Sequence, residues 1–210
     1  MTRSNSWDNV FSNEMIISLL ANVADDDTKK GAILDFFTGG GTVDSLDEFA
    51  AQLQATMGKK PVVALANVCL SAGYYVASQC SEVIMRPGPT CQIGSIGTIF
   101  IHMDITKALE QQGIKPHILR STGSVDKAKP NDYESLDAAT TADMQKMLDL
   151  CNRQFKGAVR TGRGAKLTSD AIFTGKIYGS SDAKGYGMID RTGDLTAAYN
   201  RVLQLSKNYA

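Results

Sequence analysis

Two short apolar runs, each followed by small residues and then by a helical pattern, constrain the fold of this chain most. The first run covers residues 32–37 and leads into the turn at 38–42. The second covers residues 61–66 and leads to the serine at position 71. Strands that alternate with helices are typical of parallel βαβ units. We therefore predict an α/β fold with a mainly parallel sheet.

Hydrophobic periodicity predicts the other helices and strands. Helices are expected over residues 11–23, 45–58 and 105–112, from Thr140 onward, and from about residue 195. Further strands are expected over residues 82–85, 96–101, 117–120 and 188–190. The first helix has an apolar stripe at Phe11, Met15, Leu19 and Val23.

Two details of these helices carry expectations of their own. Ser45 and Glu48 have the spacing of a capping box at the start of the second helix. The helix from Thr140 has an apolar stripe that is typical of core or subunit contact, formed by Met144, Met147, Leu148, Cys151, Phe155 and Val159.

Length and charge limit the classes of protein to consider. The 210 residues suffice for one sizeable core and are short for two domains, so we expect a tail over residues 1–10 and one domain over residues 11–207. The chain has 22 basic and 22 acidic residues, a balance that disfavours nucleic acid or an anionic membrane as main partner. With a polar start and no apolar run near 18 residues, the sequence indicates a cytoplasmic protein without a membrane anchor.

The cysteines and histidines do not suggest a metal site. None of the four cysteines forms a CxxC pair, and there are only two histidines. A zinc site is therefore not expected, and no other cofactor is indicated. The cysteines mostly lie in apolar surroundings, which is typical of small core residues in a reducing compartment.

A serine stands where the second predicted strand ends and a helix begins. Ser71 would meet free backbone N–H groups at the positive end of the helix, a good place for a nucleophile. It could equally be a simple N-cap serine. A base for the nucleophile could be a histidine, His102 or His117, or a lysine kept neutral by burial, Lys127 or Lys129.

A run of three glycines follows the first predicted strand. Gly39, Gly40 and Gly41 would expose backbone N–H groups, which suit either a phosphate cradle or an oxyanion hole, and a plain tight turn is also open. The turn lacks the lysine and hydroxyl residue of a P-loop, and it does not complete a GxGxxG pattern.

Five ordered strings resemble the signal peptide peptidase A family of Ser–Lys serine peptidases, and most closely its branch of phage head-maturation proteases. They are LDFFTGGGTV (34–43), ANVCLSAGYYVASQCSEVIMRP (66–87), GSIGT (94–98), GSVDKAKPNDYESLD (123–137) and GKIYGSSDAKGYGMIDRTGD (175–194). The resemblance implies a crotonase/Clp-like superhelix of ββα units and a peptidase domain over residues 11–207. It also implies a polypeptide substrate and assembly into a homo-oligomeric ring.

The resemblance assigns catalytic roles to three positions. Ser71 matches the nucleophile, and Ser95 matches a serine that orients the lysine. Lys127 matches the general base, because alignment on the string YESL places it six residues before Tyr133. Lys129 is the fallback for that role.

The oxyanion donors implied by the resemblance are backbone N–H groups of Gly40, Gly41 and Ala72. Ala72 replaces a glycine of the family pattern, but its N–H group is intact. Asp126, directly before Lys127, departs from the pattern and would raise the pKa of the lysine unless it points away.

Three interpretations of the biological role are open. The chain is expected to be a phage or prophage head-maturation protease acting on scaffold or capsid-associated protein, in the host cytoplasm or the prohead. A bacterial peptidase for signal-peptide remnants is the alternative. A non-catalytic or acyl-CoA-binding protein of the crotonase fold is a further one.

Overall fold

The computed structural model describes residues 12–209. The chain divides into two compact units: the first holds the described residues up to Gly97 and from Gln154, and the second is Thr98–Arg153. The expected tail at 1–10, and the start of the first helix at Phe11, lie outside the described residues.

The helices and strands follow one another as the alternating pattern indicates. In chain order they are α1 (Asn13–Asp25), β1 (Ala32–Thr38), α2 (Leu46–Met57), β2 (Val62–Leu70), α3 (Ala72–Ala77), β3 (Glu82–Met85), β4 (Gln92–Gly94), α4 (Thr106–Gln111), α5 (Ala138–Arg163), β5 (Ile177–Tyr178), α6 (Ser180–Gly185), β6 (Arg191–Thr192) and α7 (Leu195–Ser206).

The sheet of the first unit is built around β2. Strand β1 pairs with β2 in parallel over nearly its whole length, from Ala32 opposite Val62 to Thr38 opposite Cys69. Strands β3 and β4 also pair with β2 in parallel, β3 with its first half and β4 with its last residues. Strand β6 pairs with β3 in parallel, and among the described strands only β5 runs antiparallel, against β4. The predicted α/β fold with a mainly parallel sheet is confirmed.

The core lies along β2 because the strand has apolar residues on both faces. Residues 62–66 of this strand are fully buried. On one face they pack with α2 and the whole of α3, and on the other with Ala198 and Val202 of α7. Cys69, Cys80 and Cys91 are buried and unbridged, as expected for small core residues. The helix that follows β2 is thereby packed against the buried residues of the strand.

Helix α1 packs on a different face from the one predicted. Met15 and Leu19 of the expected stripe are about half exposed, whereas Leu20 and Ala24 are buried. The stripe prediction was wrong because the helix is partly apolar on two adjacent faces, and contact with α2 selects one of them.

The predicted strand at 96–101 is wrong: the strand lies earlier, as β4. Gly94 and Ser95 both have positive φ, 120° and 54°, so the extended conformation ends there. The strand expected at 188–190 is displaced to β6, because the N–H of Met188 is bound by the carbonyl of Ala183 at the end of α6.

Two further local predictions were wrong. Ser45 makes no capping hydrogen bond to α2; instead its hydroxyl accepts a hydrogen bond from the Asn13 side chain at 2.8 Å. Residues 117–120 form no strand, since the second unit supplies no sheet for them to join.

The second unit consists of α4, a long polar loop and the first part of α5. Gly113 ends α4 with a φ of 72°, as predicted. Helix α5 begins two residues before Thr140, where the Asp137 carboxylate accepts the Thr140 N–H at 2.7 Å. Of its predicted stripe, Phe155 and Val159 are buried in the first unit, whereas Met147 is half exposed.

The second unit has no buried residue among positions 98–153, all of which the structure describes. Many of its large apolar side chains are exposed, including Ile99, Ile101 and Leu119. Across the described chain, no helix is long and apolar enough to span a membrane.

Candidate active site

Ser71 lies at the junction of β2 and α3, directly before the first helical residue. Its backbone has φ 52° and ψ −122°, and its hydroxyl makes no capping hydrogen bond to the helix. The interpretation of Ser71 as a simple N-cap serine is therefore wrong. Within the described residues of the first unit, the hydroxyl has no hydrogen-bond partner.

The backbone of Ser71 is strained, since a positive φ is uncommon for a residue other than glycine. Two hydrogen bonds hold it: its N–H donates to the Gly94 carbonyl at 2.9 Å, and its carbonyl accepts the Tyr75 N–H at 3.0 Å. Such conformations cost about 1–3 kcal/mol and cluster at functional sites. With this backbone conformation, Ser71 belongs neither to the extended strand before it nor to the helix after it.

The N–H of Ala72 is the first of the free amide groups at the start of α3. It has no hydrogen-bond partner among the described residues. Because it directly follows Ser71, it is available to an oxygen atom bound beside the Ser71 hydroxyl.

The glycine turn after β1 packs against Ser71. A Cβ built on Gly40 would fall 2.6 Å from the Ser71 Cβ and 3.1 Å from its Oγ, so only glycine fits there. Gly40 also has a φ of 115°. The Gly40 N–H donates to the Thr38 hydroxyl at 3.1 Å, whereas the Gly41 N–H has no partner among the described residues.

Ser95 lies beside Ser71 because β4 pairs with β2. Leu70 stands opposite Gly94 in the register of the two parallel strands, so Ser71 and Ser95 are the next residue of each. Ser95 has a φ of 54°, and its N–H donates to the Lys176 carbonyl at 2.8 Å. The fold thus brings together the first-unit residues that the sequence analysis singled out.

Both candidate lysines belong to the polar loop of the second unit. Lys127 is exposed, so the expectation that this lysine is buried is wrong, and its ammonium group makes no hydrogen bond or ion pair within that unit. Its backbone is fixed, since its N–H donates to the Ser124 carbonyl at 3.1 Å and its carbonyl accepts from Arg120 at 2.6 Å. Ala128, between Lys127 and Lys129, has a positive φ of 55°.

Lys129 is held by two carboxylates. Its ammonium group lies 2.6 Å from Asp137 and 3.3 Å from Asp126. The hydrogen bonds to Asp137 and Asp126 raise the pKa of Lys129, which keeps it charged. Asp126 therefore pairs with Lys129 and not with its neighbour Lys127.

The loop around Lys127 is braced by residues whose role the sequence analysis missed. Arg120 forms an ion pair with Glu134, and the same carboxylate accepts the Asn131 amide at 2.8 Å. Arg120 thereby links the string NDYESL to the Lys127 carbonyl. Glu134 could have been found from the sequence, because it lies within that string. Arg120 lies outside the five strings, and nothing in the sequence indicated its role.

The histidines show no catalytic arrangement in the second unit. The His102 ring lies 2.7 Å from the Asn131 carbonyl, and His117 is exposed. His102 is therefore hydrogen-bonded to the same loop, which is a structural role.

A family model decides which group of proteins this site belongs to. The model for peptidase family S49 matches residues 54–208, a stretch that includes Ser71, Ser95 and Lys127. The chain belongs to peptidase family S49. The resemblance to Ser–Lys peptidases of the signal peptide peptidase A type is thereby confirmed.

Curated relatives in family S49 come from phage, archaea and bacteria. The chain is 30% identical over 167 residues to the head-tail preconnector protein GP5 of Enterobacteria phage P21, covering 77% of this chain and 32% of that protein. It is 26% identical over 191 residues to a putative protease of Methanocaldococcus jannaschii, covering 90% and 60%. A putative signal peptide peptidase SppA of Enterococcus faecium is 24% identical, with 88% and 55% covered. The chain thus spans less than two thirds of the length of these relatives.

Solved structures support the fold of an S49 domain. A 1510-N membrane-bound stomatin-specific protease, bound to a substrate peptide, matches with a TM-score of 0.50 and 16% identity over 91% of this chain and 74% of that one. A monofunctional enoyl-CoA isomerase from M. smegmatis matches with a TM-score of 0.52 and 14% identity over 94% and 70%. The predicted crotonase/Clp-like architecture is confirmed.

Proposed function

We propose that this S49 chain is a serine endopeptidase whose nucleophile is Ser71. The observation that carries the proposal is the strained serine between β2 and α3, which has an uncapped hydroxyl and a glycine packed against it. A half-buried hydroxyl held in this way lies beside N–H groups that have no partner among the described residues, which is what acyl transfer requires. Residues 11–207 act together as the peptidase domain.

Lys127 is the general base of this proposal. The neutral Lys127 amine takes the proton of the Ser71 hydroxyl as the serine oxygen attacks the substrate carbonyl. Lys129 suits the role less, because two carboxylates stabilise its charged form. Ser95, which stands beside Ser71 across the β2–β4 pair, orients the lysine.

The oxyanion hole is formed by backbone N–H groups from two segments. Ala72 supplies one, at the start of α3. Gly41 supplies the other, because its N–H has no partner in the part of the chain that the structure describes, whereas the Gly40 N–H is engaged by Thr38. Because Gly40 has no side chain, the turn can approach Ser71 closely. Each donor of this kind is worth roughly 3–4 kcal/mol of transition-state stabilisation.

The reaction follows from these roles without a metal or cofactor. The Ser71 oxygen forms a bond to the carbonyl carbon, and the charge on the carbonyl oxygen is held by the two N–H groups. The protonated Lys127 then gives its proton to the leaving amine as the peptide bond breaks. Water, deprotonated by the same lysine, releases the acyl group and restores the serine.

The polypeptide substrate belongs to phage or prophage head assembly. The relative from phage P21, a head-tail preconnector protein, supports this role. The protease would then act on scaffold or capsid-associated protein in the host cytoplasm or the prohead. Hydrolysis of signal-peptide remnants is the second candidate, favoured by the relative from Enterococcus faecium.

The active form is a homo-oligomeric ring. The second unit exposes many large apolar side chains and buries none of its residues, which is unusual for a unit of this size that stays alone. Met147 and Leu150, both on α5, are more than half exposed. We assign this face of α5 to contact with another copy of the chain.

One experiment tests the peptidase function directly. An unfolded protein mixture is digested with the wild type and with Ser71→Ala, and the cut sites are read by mass spectrometry. Cuts made only by the wild type are expected, while both proteins keep the same circular dichroism spectrum. Equal cutting by both, or none by either, overturns the proposal.

The same pair of proteins separates the peptidase from an acyl-CoA enzyme of the crotonase fold. Such an enzyme would act on a thioester through the oxyanion hole alone, so Ser71→Ala would keep its activity. A non-catalytic shell protein would cut nothing in either form.

A further inference from the structure

Thr38 is the last residue of β1 and connects the two segments of the proposed active site. Its hydroxyl accepts the Gly40 N–H at 3.1 Å and also lies 3.2 Å from the Gly40 carbonyl, to which it donates. One side chain thus holds both polar groups of the glycine that packs against Ser71.

The methyl group of Thr38 contacts the nucleophile helix. A Cβ built on Gly73 would fall 2.6 Å from the Thr38 Cγ2 and 3.7 Å from the Cys69 Sγ. The methyl group therefore occupies the space that the missing side chain of Gly73 leaves on α3. Pairing of β1 with β2, which places Thr38 opposite Cys69, fixes the threonine in this position.

We propose that Thr38 is a positioning residue for the reaction of Ser71, which holds the glycine turn at a set distance from the nucleophile helix. This inference rests on the proposed peptidase function. By binding the Gly40 N–H, the hydroxyl leaves the next amide, that of Gly41, to face the oxyanion. By contacting Gly73, the methyl group sets the separation between that amide and the amide of Ala72.

Two matched substitutions separate the halves of the side chain. Thr38→Val keeps the methyl group and the shape but removes the hydroxyl, whereas Thr38→Ser keeps the hydroxyl and removes the methyl group. Small displacements of positioned groups reduce rates by up to about 100-fold. We expect Thr38→Val to lower kcat by about 10- to 100-fold with KM unchanged within about 3-fold. Thr38→Ser, which keeps the hydroxyl and loses only the methyl contact with Gly73, should lower kcat by the smaller factor of about 3-fold.

A double variant tests the contact with α3. Gly73→Ala should push the Thr38 methyl group and lower kcat about 10-fold or more. Thr38→Ser has no methyl group at that place, so the double variant Thr38→Ser/Gly73→Ala should regain most of the lost kcat. Recovery by a second substitution measures the coupling between the two residues, and recovery of kcat at unchanged unfolding temperature separates it from an effect on stability.

The measurements use a quenched fluorescent peptide that spans a cut site found in the wild-type digest. Thermal unfolding of each variant is recorded alongside. If the wild type cuts and Thr38→Val has the wild-type kcat, or if the double variant is no better than Gly73→Ala, the role of Thr38 is disproved while the peptidase stands. If the wild type cuts nothing, the proposed function itself fails.

Discussion

The α-carbon of Gly40 lies against the side chain of Ser71, so closely that a methyl group on the glycine would overlap the serine Cβ. This relationship joins the end of β1 to the end of β2. It places a turn with amide groups beside a strained serine. The amide group of the next residue, Ala72, has no partner within residues 12–209. The proposed chemistry depends on this one close approach.

The first prediction concerns Gly40 itself. Gly40→Ala should lower peptidase activity by about 100-fold or more. The new Cβ would displace either the turn or Ser71, and the alanine would have to adopt a φ of 115°. Gly39→Ala is the matched control, since its Cβ would meet nothing within 4 Å. The measurement is kcat/KM on a cleavable peptide. Equal activity of the two variants would show that the close approach has no catalytic value.

The second prediction distinguishes the two lysines. Lys127→Ala should lose activity by about 100- to 10,000-fold, as expected for a general base. Lys129→Ala should keep at least about a tenth of the activity, because Lys129 is tied to Asp126 and Asp137 and acts on the loop alone. The reverse ranking would assign the base to Lys129.

The pH profile provides a third prediction. A lysine base works only in its neutral form, so kcat/KM of the wild type should rise with pH and give an alkaline optimum. The pKa of Lys129 is raised by its hydrogen bonds to Asp137 and Asp126, so this group deprotonates later than an ordinary lysine. The profile is recorded with the wild type and with Lys129→Ala, which should agree in shape. A flat profile from about pH 6 to 9 argues against a lysine base.

The fourth prediction concerns stability at low pH. Burial would raise the pKa of Asp190, but hydrogen bonds from Arg163, Lys166 and the Val83 N–H lower it to about 2. Because the folded pKa lies below the ordinary value, this carboxylate stabilises the fold above about pH 4, and the contribution is lost as the pH falls towards 2. The expected loss is about 1–2 kcal/mol, allowing for solvent near the group.

Asp190→Asn tests that assignment, with the exposed Asp182→Asn as its control. The Arg163 side chain is almost fully buried, so loss of its partner should lower the free energy of unfolding at pH 7 by about 3 kcal/mol. The variant should also lose part of the pH dependence below about pH 4. Urea unfolding at several pH values provides both quantities. Identical curves for wild type and Asp190→Asn would contradict the ion pair.

The fifth prediction concerns assembly through α5. Leu150→Glu places a charge in the exposed apolar face of the helix and should reduce the mass measured by light scattering from an oligomer to smaller species. Gln145→Glu, at an exposed polar position on the opposite side of the same helix, should leave the mass unchanged. A wild type that is monomeric and still cuts peptides would disprove the proposed ring.

The sequence alone indicated most of the elements that carry the site. The buried runs that became β1 and β2 could be recognised because each is apolar, short and followed by small residues. The place of Ser71 followed from the same pattern, since a strand ending before a helix presents its next residue at the helix N-terminus. The glycines of the turn and the serine of the string GSIGT were likewise found by motif.

Local rules failed where a tertiary contact chose between equal options. Ser45 has the spacing of a capping box, but its hydroxyl is bound by Asn13 of another helix. Leu19 and Leu20 are equally apolar, and packing on α2 buries only the second. The strand expected at 96–101 ends at Gly94, because a turn with positive φ follows at once.

The sequence by itself determined where β1 and β2 lie and that small residues follow each strand, because apolar runs and small residues specify strands and turns locally. The tertiary structure decided that Gly40 contacts Ser71, that the Thr38 methyl group contacts Gly73, and that Ser71 and Ser95 stand side by side. These relationships join residues more than 20 positions apart, and only the register of neighbouring strands brings them into contact. Local patterns carry no information about that register.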